Sequence, residues 1–183
     1  MAQLLDGDWL ISPQDVIAEF ECPHMVALQA AEWSGAITLE AEPDAGLELL
    51  RRQGIEHEQQ RLEALAAKAR VKRLGPPARS RAAYEAAWQA TAAAMRDEYD
   101  AIYQATLYAG EFLGIADFLI LARDENDAIV RDEHGVAVYE PVDTKSARSA
   151  KRGAALQVGA YAETMVRLGL PEPRQVHLWL AGD

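Results

Sequence analysis

The stretch EFLGIADFLIL, residues 111–121, restricts the fold more than any other part of this chain. Side chains alternate along a strand, so Leu113, Ile115, Asp117, Leu119 and Leu121 would share one face, and Phe112, Gly114, Ala116, Phe118 and Ile120 the other. Both sets are apolar except for one acid. A strand that is apolar on both faces has to be covered on both faces, which points to an interior strand of a layered α/β domain. Asp117 is the anomaly within it. Unpaired, a carboxylate there would cost on the order of several kcal/mol, so it calls for a cation or strong hydrogen bonds. The competing reading is an Asp that caps the turn at one end of the strand.

The rest of the chain supplies the covering layers. Residues 12–33 read as a helix, with Ser12 as N-cap, Pro13 at the first helical position and a kink or break at Pro23. Residues 35–44 read as loop. Leu47, Leu50, Gly54, Glu58, Leu62 and Leu65 recur at helical spacing and predict a long helix over 45–70. Gly75-Pro76-Pro77 ends that unit, and the alanine-rich stretch 80–99 is helix composition. Strand character follows in 101–107 and in 111–121. Residues 129–145 read as strand, turn and strand about Asp132-Glu133-His134-Gly135. A helix over 149–168, a breaker from Gly169 to Pro173 and a strand over 176–181 complete the order. The expectation is an α/β fold with a central mixed sheet flanked by helices, divided into an N-terminal helical segment (1–44) and a core (45–183).

A chain of 183 residues, half of them hydrophobic, suits one core of that kind. It holds no run of roughly 18 apolar residues, so no membrane span is expected. The acidic start MAQLLDGDWLIS does not read as a signal peptide. Cys22 is the single cysteine, which excludes an internal disulfide and makes a cytoplasmic location the default. The net charge of −11, from 29 acids against 18 bases, weighs against a nucleic-acid partner. The local basic run Lys145, Arg148, Lys151 and Arg152 weighs the other way.

Asp143 and Lys145, two apart on a strand, point the same way. Alone they could be an ion pair. Together with Asp117 they form a set suited to phosphodiester hydrolysis. Two carboxylates offer hard oxygen ligands to Mg²⁺ or Mn²⁺, such a metal activates water, and a lysine can orient that water or stabilise the transition state. Glu140 differs in parity from Asp143 and should face the other side. Gln157 and Tyr161, four apart, share a helix face with Ala154, Val158, Met165 and Leu168. Packing alone would explain that stripe; the functional reading is a polar pair leaning over the strand-borne site. His57, one turn after Gly54, is a metal-ligand candidate, with Glu58 as its competitor on the same turn.

In combination these residues resemble the RecB-type branch of the PD-(D/E)XK nuclease superfamily. The pattern is Gly54 with His57, Gly114 with Asp117, Asp143 with Lys145, and Gln157 with Tyr161, in that order, over roughly 45–182. The segment VYEPVDTKSARSAKRGAALQVGAYAE is especially similar to RecB-family nucleases fused to superfamily 1 helicases. The resemblance implies a restriction-endonuclease-like core. It implies that His57, Asp117, Asp143 and the Thr144 carbonyl bind Mg²⁺ or Mn²⁺, that Lys145 is catalytic with the two aspartates, and that Gln157 and Tyr161 position DNA or Lys145. Arg148 and Lys151 are the basic side chains nearest to hand for the substrate. Ser12-Pro13 and Cys22-Pro23-His24 also resemble the start of the branch's iron–sulfur members, but a chain with one cysteine cannot build a four-cysteine cluster alone. It stops just after the last core strand, which leaves open that it is part of something larger. The function expected is a metal-dependent deoxyribonuclease acting on DNA, as the nuclease part of a helicase–nuclease or with a helicase partner. The alternatives are a catalytically silent nucleic-acid-binding or helicase-partner module of the same fold, and the same metal chemistry on another phosphate ester.

Overall fold

The computed structural model describes residues 3–38 and 44–182. Five strands form one mixed sheet in the order of the chain: β3 (Val71–Arg73), β4 (Ala101–Tyr108), β5 (Leu113–Leu121), β6 (Tyr139–Lys145) and β7 (His177–Leu180). The inner pairs β4–β5 and β5–β6 are antiparallel, and the outer pairs β3–β4 and β6–β7 are parallel. Each parallel pair is spanned by a helix, as a parallel connection requires. These are α4 (Arg81–Arg96) between β3 and β4, and α5 (Arg152–Arg167) between β6 and β7. A third long helix, α3 (Ala45–Ala66), precedes the sheet. The fold is thus mixed α/β with helices about a central sheet, and β5 is its middle strand.

Two apolar layers hold it. On one side Met95 of α4 and Val158, Tyr161 and Met165 of α5 pack with Ile102, Leu107, Leu119 and Tyr139 of the sheet. On the other, Leu62 of α3 packs on Phe118 and Val142, with Tyr103 and Trp179 at the edge. Burying such side chains stabilises the fold by about 1.5–3 kcal/mol each, and that explains why β5 had to be apolar on both faces. Helix starts are fixed locally. Asp44 accepts from Gly46 N at 2.8 Å ahead of α3, and Ser80 accepts from Ala83 N at 3.2 Å ahead of α4.

The segment predicted as one helix over 12–33 is two, α1 (Pro13–Glu21) and α2 (Pro23–Trp33), broken where Pro23 lacks an N–H to continue the ladder. Ser12 and Pro13 stand at the N-cap and first turn of α1, as expected, and Asp15 Oδ2 accepts from Ser12 N at 2.8 Å. Helix α1 rests on α5, where a Cβ at Gly153 would stand 3.0 Å from Ile17 Cγ2.

Three expectations needed correction. The long helix ends at Ala66, not 70, and Val71–Arg73 is an edge strand. The N-terminus forms a hairpin, β1 (Gln3–Leu5) and β2 (Asp8–Leu10), about Asp6-Gly7 with φ of 55° and 89°, the Asp-Gly signature of a tight hairpin turn. Residues 129–138 make only isolated bridges, Arg123 with Ile129 and Arg131 with Ala137, because Asp124 and Asp132 each fold the chain back on itself through side-chain bonds to backbone N–H groups. The second strand of that predicted pair is real and begins at Tyr139. Among the described residues no helix is long and apolar enough to cross a membrane.

Candidate functional site

The pairing of β5 with β6 runs from Leu121↔Tyr139 to Phe118↔Val142 and then stops. Asp117 and Asp143 lie one residue beyond that last pair, where the two strands part. Asp117 fills the gap with its side chain. Its Oδ2 accepts from the Thr144 backbone N–H and from the Thr144 hydroxyl, each at 2.7 Å. This answers the question the sequence posed: the acid in the apolar strand takes the place of a ladder bond and caps the fork. The turn-cap reading of Asp117 thereby has a structural counterpart, at a strand divergence and not at a turn.

Asp143 is 1 % exposed, and Lys145 Nζ stands 2.6 Å from its Oδ2. The two charges touch, though not along an aligned hydrogen bond. The same Nζ donates to Gln157 Oε1 at 3.1 Å, Gln157 Nε2 donates to the Tyr161 hydroxyl at 3.0 Å, and that hydroxyl donates to the Ile115 carbonyl at 2.8 Å. Gln157 and Tyr161 are both buried on α5, so the helix clamps the lysine to the back of β5. Gly114 makes room for the clamp, since a Cβ there would stand 2.8 Å from Tyr161 Cε1. Gly114, Asp143, Lys145, Gln157 and Tyr161, read separately in the sequence, are parts of one relay.

Helix α3 brings in a third carboxylate. Glu58 is half-buried, receives hydrogen bonds from Tyr103 and Gln104 of β4, and couples electrostatically to Asp117, Asp143 and Lys145. Burial, and next the Asp117 charge, push Glu58 above the ordinary carboxylate range. Burial raises Asp117, against the two Thr144 bonds and Lys145. Burial and the Asp117 charge push Asp143 up to about 6, against the pull of Lys145. Burial and Glu58 push Tyr103 up to about 12, so it remains a hydrogen-bond donor. Three acids about one lysine, with the Asp117 charge raising the other two, form a site short of positive charge.

His57 lines a shallow cavity with Gln60, Arg61, Ala64, Ala181 and Gly182, and its Nε2 is buried without a hydrogen-bond partner among the described residues. Adjacent helical positions differ by about 100°, and it is Glu58 that couples to the carboxylates of the fork. Glu140 is paired with His177 at 2.6 Å across β6 and β7, two residues before Val142, which packs under α3. Arg148 and Lys151 are exposed in the loop that follows Lys145 and opens α5. Cys22 is exposed between α1 and α2. Among the described residues no group of three or more His, Cys, Asp and Glu is arranged to hold an ion as it stands; the cation facing Asp143 is the Lys145 ammonium.

The equal faces predicted for β5 also need correction. Ala116, Leu119 and Leu121 point into one core layer, and Phe118 and Ile120 into the other, so the alternation shifts by one residue beside Asp117. Comparison with protein-family models, with curated proteins and with solved structures finds no match for the chain.

Proposed function

We propose that this chain is a divalent-metal-dependent nuclease of the PD-(D/E)XK type, with a restriction-endonuclease-like core, that hydrolyses phosphodiester bonds of DNA. The observation that carries the reading is the gathering of Glu58, Asp117, Asp143 and Lys145 at the parting of β5 and β6, with Lys145 tied through Gln157 and Tyr161 to the strand behind it. The donor set fits Mg²⁺ or Mn²⁺: the acids are hard oxygen ligands, and burial pushes all three upward, with the Asp117 charge adding to the rise of Glu58 and Asp143, a cost that a cation relieves. Asp117 and Asp143 would hold the ion, with the Thr144 carbonyl beside them, and Glu58 in the place the resemblance gives to His57. A bound ion of this kind lowers the pKa of water and neutralises charge on phosphate oxygens.

The protein's own groups do the rest. Lys145 carries a fixed positive charge beside Asp143, placed to orient the nucleophile or to stabilise the additional negative charge of the pentavalent transition state. Gln157 and Tyr161 hold that ammonium in one position, which lowers the reorganisation needed at the moment of reaction. Arg148, Lys151 and the N-terminus of α5 follow directly in the chain and present positive potential to a phosphate backbone. A helicase domain or subunit as partner remains part of the proposal.

The test is cleavage of single- and double-stranded DNA with Mg²⁺, Mn²⁺ or EDTA. Wild type should cut only with metal, and Asp117→Ala and Lys145→Ala should not cut. Equal cutting by all three proteins would refute the site. DNA binding without metal-dependent cutting would favour the catalytically silent module.

A further inference from the structure

Neighbouring side chains of a regular strand leave opposite faces. Tyr103 and Gln104 of β4 do not, for both reach Glu58. The cause is in the backbone. Gln104 has φ of 54°, a left-handed conformation that side chains other than glycine rarely adopt. Of the described non-glycine residues with positive φ, Asp6, Glu98 and Asp127 lie in turns, and Gln104 alone lies within a strand. Its effect extends across the ladder. Tyr103 pairs with Phe118 and Ala105 with Ala116, while the pair between them, Gln104 with Asp117, is missing. Ile102 and then Ala105 point into the same core layer, so the alternation of β4 shifts by one where that of β5 shifts beside Asp117. The irregularity therefore re-aims two side chains, the Gln104 amide and the Asp117 carboxylate, in the manner of the bulges that occur beside active sites.

We propose that Gln104 is a positioning residue for the carboxylate site: its left-handed backbone brings its amide to the same side of β4 as the Tyr103 hydroxyl, and the two donors fix the Glu58 carboxylate on the cation. Tyr103 is itself held by Gln59 Nε2, which donates to its hydroxyl at 2.8 Å. Glu58 is thus held from the strand and from its own helix, as ligating carboxylates are by their outer hydrogen-bond partners. The proposal rests on the metal-dependent reading of the site.

The experiment is direct Mn²⁺ binding, read by the electron paramagnetic resonance of free Mn²⁺, and thermal melting, on wild type, Gln104→Ala and Gln104→Gly. Glycine takes a left-handed conformation without penalty and alanine does not, so the glycine variant should melt above the alanine variant. Both lack the amide and should bind Mn²⁺ about tenfold or more weakly. Wild-type affinity in the glycine variant would overturn the proposal, because the backbone alone would then suffice. So would affinities that follow the melting temperatures. A wild type that binds no Mn²⁺ would overturn the metal reading itself, a result distinct from a loss confined to the Gln104 variants.

Discussion

Asp143→Asn should make the metal-free protein more stable, by an amount that depends on pH. Asp143 is 1 % exposed and its pKa is pushed up to about 6 by burial and by Asp117, even with Lys145 at 2.6 Å. In the unfolded chain it titrates near 4. The folded value is the higher one, so the sign is set: below about pH 4 both states hold the proton and Asp143 has no effect. As pH rises through 4 to 6 the unfolded chain releases its proton first, and stability falls. Above about 7 the full cost is present. A rise of roughly two pH units, at 1.36 kcal/mol each, is about 3 kcal/mol; at pH 5 about half of it has developed. Asparagine resembles the neutral acid in shape and removes this cost. Urea unfolding should give a variant more stable than wild type by about 3 kcal/mol at pH 8 and by roughly half as much at pH 5, the former a rise in Tm of roughly 6–12 °C. Mn²⁺ at a hundredfold excess over its Kd should add about 2.7 kcal/mol to wild type and little to the variant. A variant less stable than wild type at pH 8, or a difference that does not change between the two pH values, would refute the reasoning. Asp143 would then be a carboxylate that the fold needs charged.

Gly114→Ala should lower stability by about 1–3 kcal/mol, because the new methyl would meet the Tyr161 ring at 2.8 Å and that ring is fully packed; an unchanged Tm would show that Tyr161 is free to move. Tyr161→Phe keeps the ring but leaves the Ile115 carbonyl and Gln157 Nε2 without their partner, and should cost about 1–3 kcal/mol by chemical denaturation. Its turnover should fall further than its Km changes, since Lys145 loses its backing; a change in Km alone would place Tyr161 in substrate binding. Glu58→Gln should weaken Mn²⁺ binding about tenfold or more and His57→Ala much less, as titration calorimetry can read; the reverse ranking would make His57 the ligand that α3 supplies.

Much of this fold was legible because the strongest signals were apolar and local. The two-sided β5 required layers above and below, Pro23 broke the first helix, and the alanine-rich stretch became α4. What escaped was short or polar. Val71–Arg73 is three residues long and exists as a strand only because β4 lies beside it, so no window of its own sequence could reveal it. Residues 129–138 carry strand-forming valines, but the side-chain bonds of Asp124 and Asp132 win locally over pairing. The N-terminal hairpin had its signature in Asp6-Gly7, between Leu5 and Asp8, and turn chemistry alone could have predicted it.

The site divides in the same way. Spacing along a single element is readable, so Asp143 with Lys145, and Gln157 with Tyr161, fall on common faces by residue number alone. Choices that depend on the rotation of a helix or on an irregular backbone are not readable in this way. His57 and Glu58 are neighbours on α3, and only the docking of Leu62 under Phe118 and Val142 decides which of them turns to the fork. The left-handed Gln104 has no composition signal, for glutamine is not a residue expected there. Yet it stands opposite Asp117, the residue whose presence in an apolar strand first needed a reason. A regular β4 paired with a regular β5 would send Asp117 and Phe118 to opposite layers and would give Glu58 one donor from β4 instead of two. The acid in the strand and the strained amide facing it are therefore two halves of one departure from regular pairing. That departure lets a sheet built for burial carry a carboxylate site at its centre.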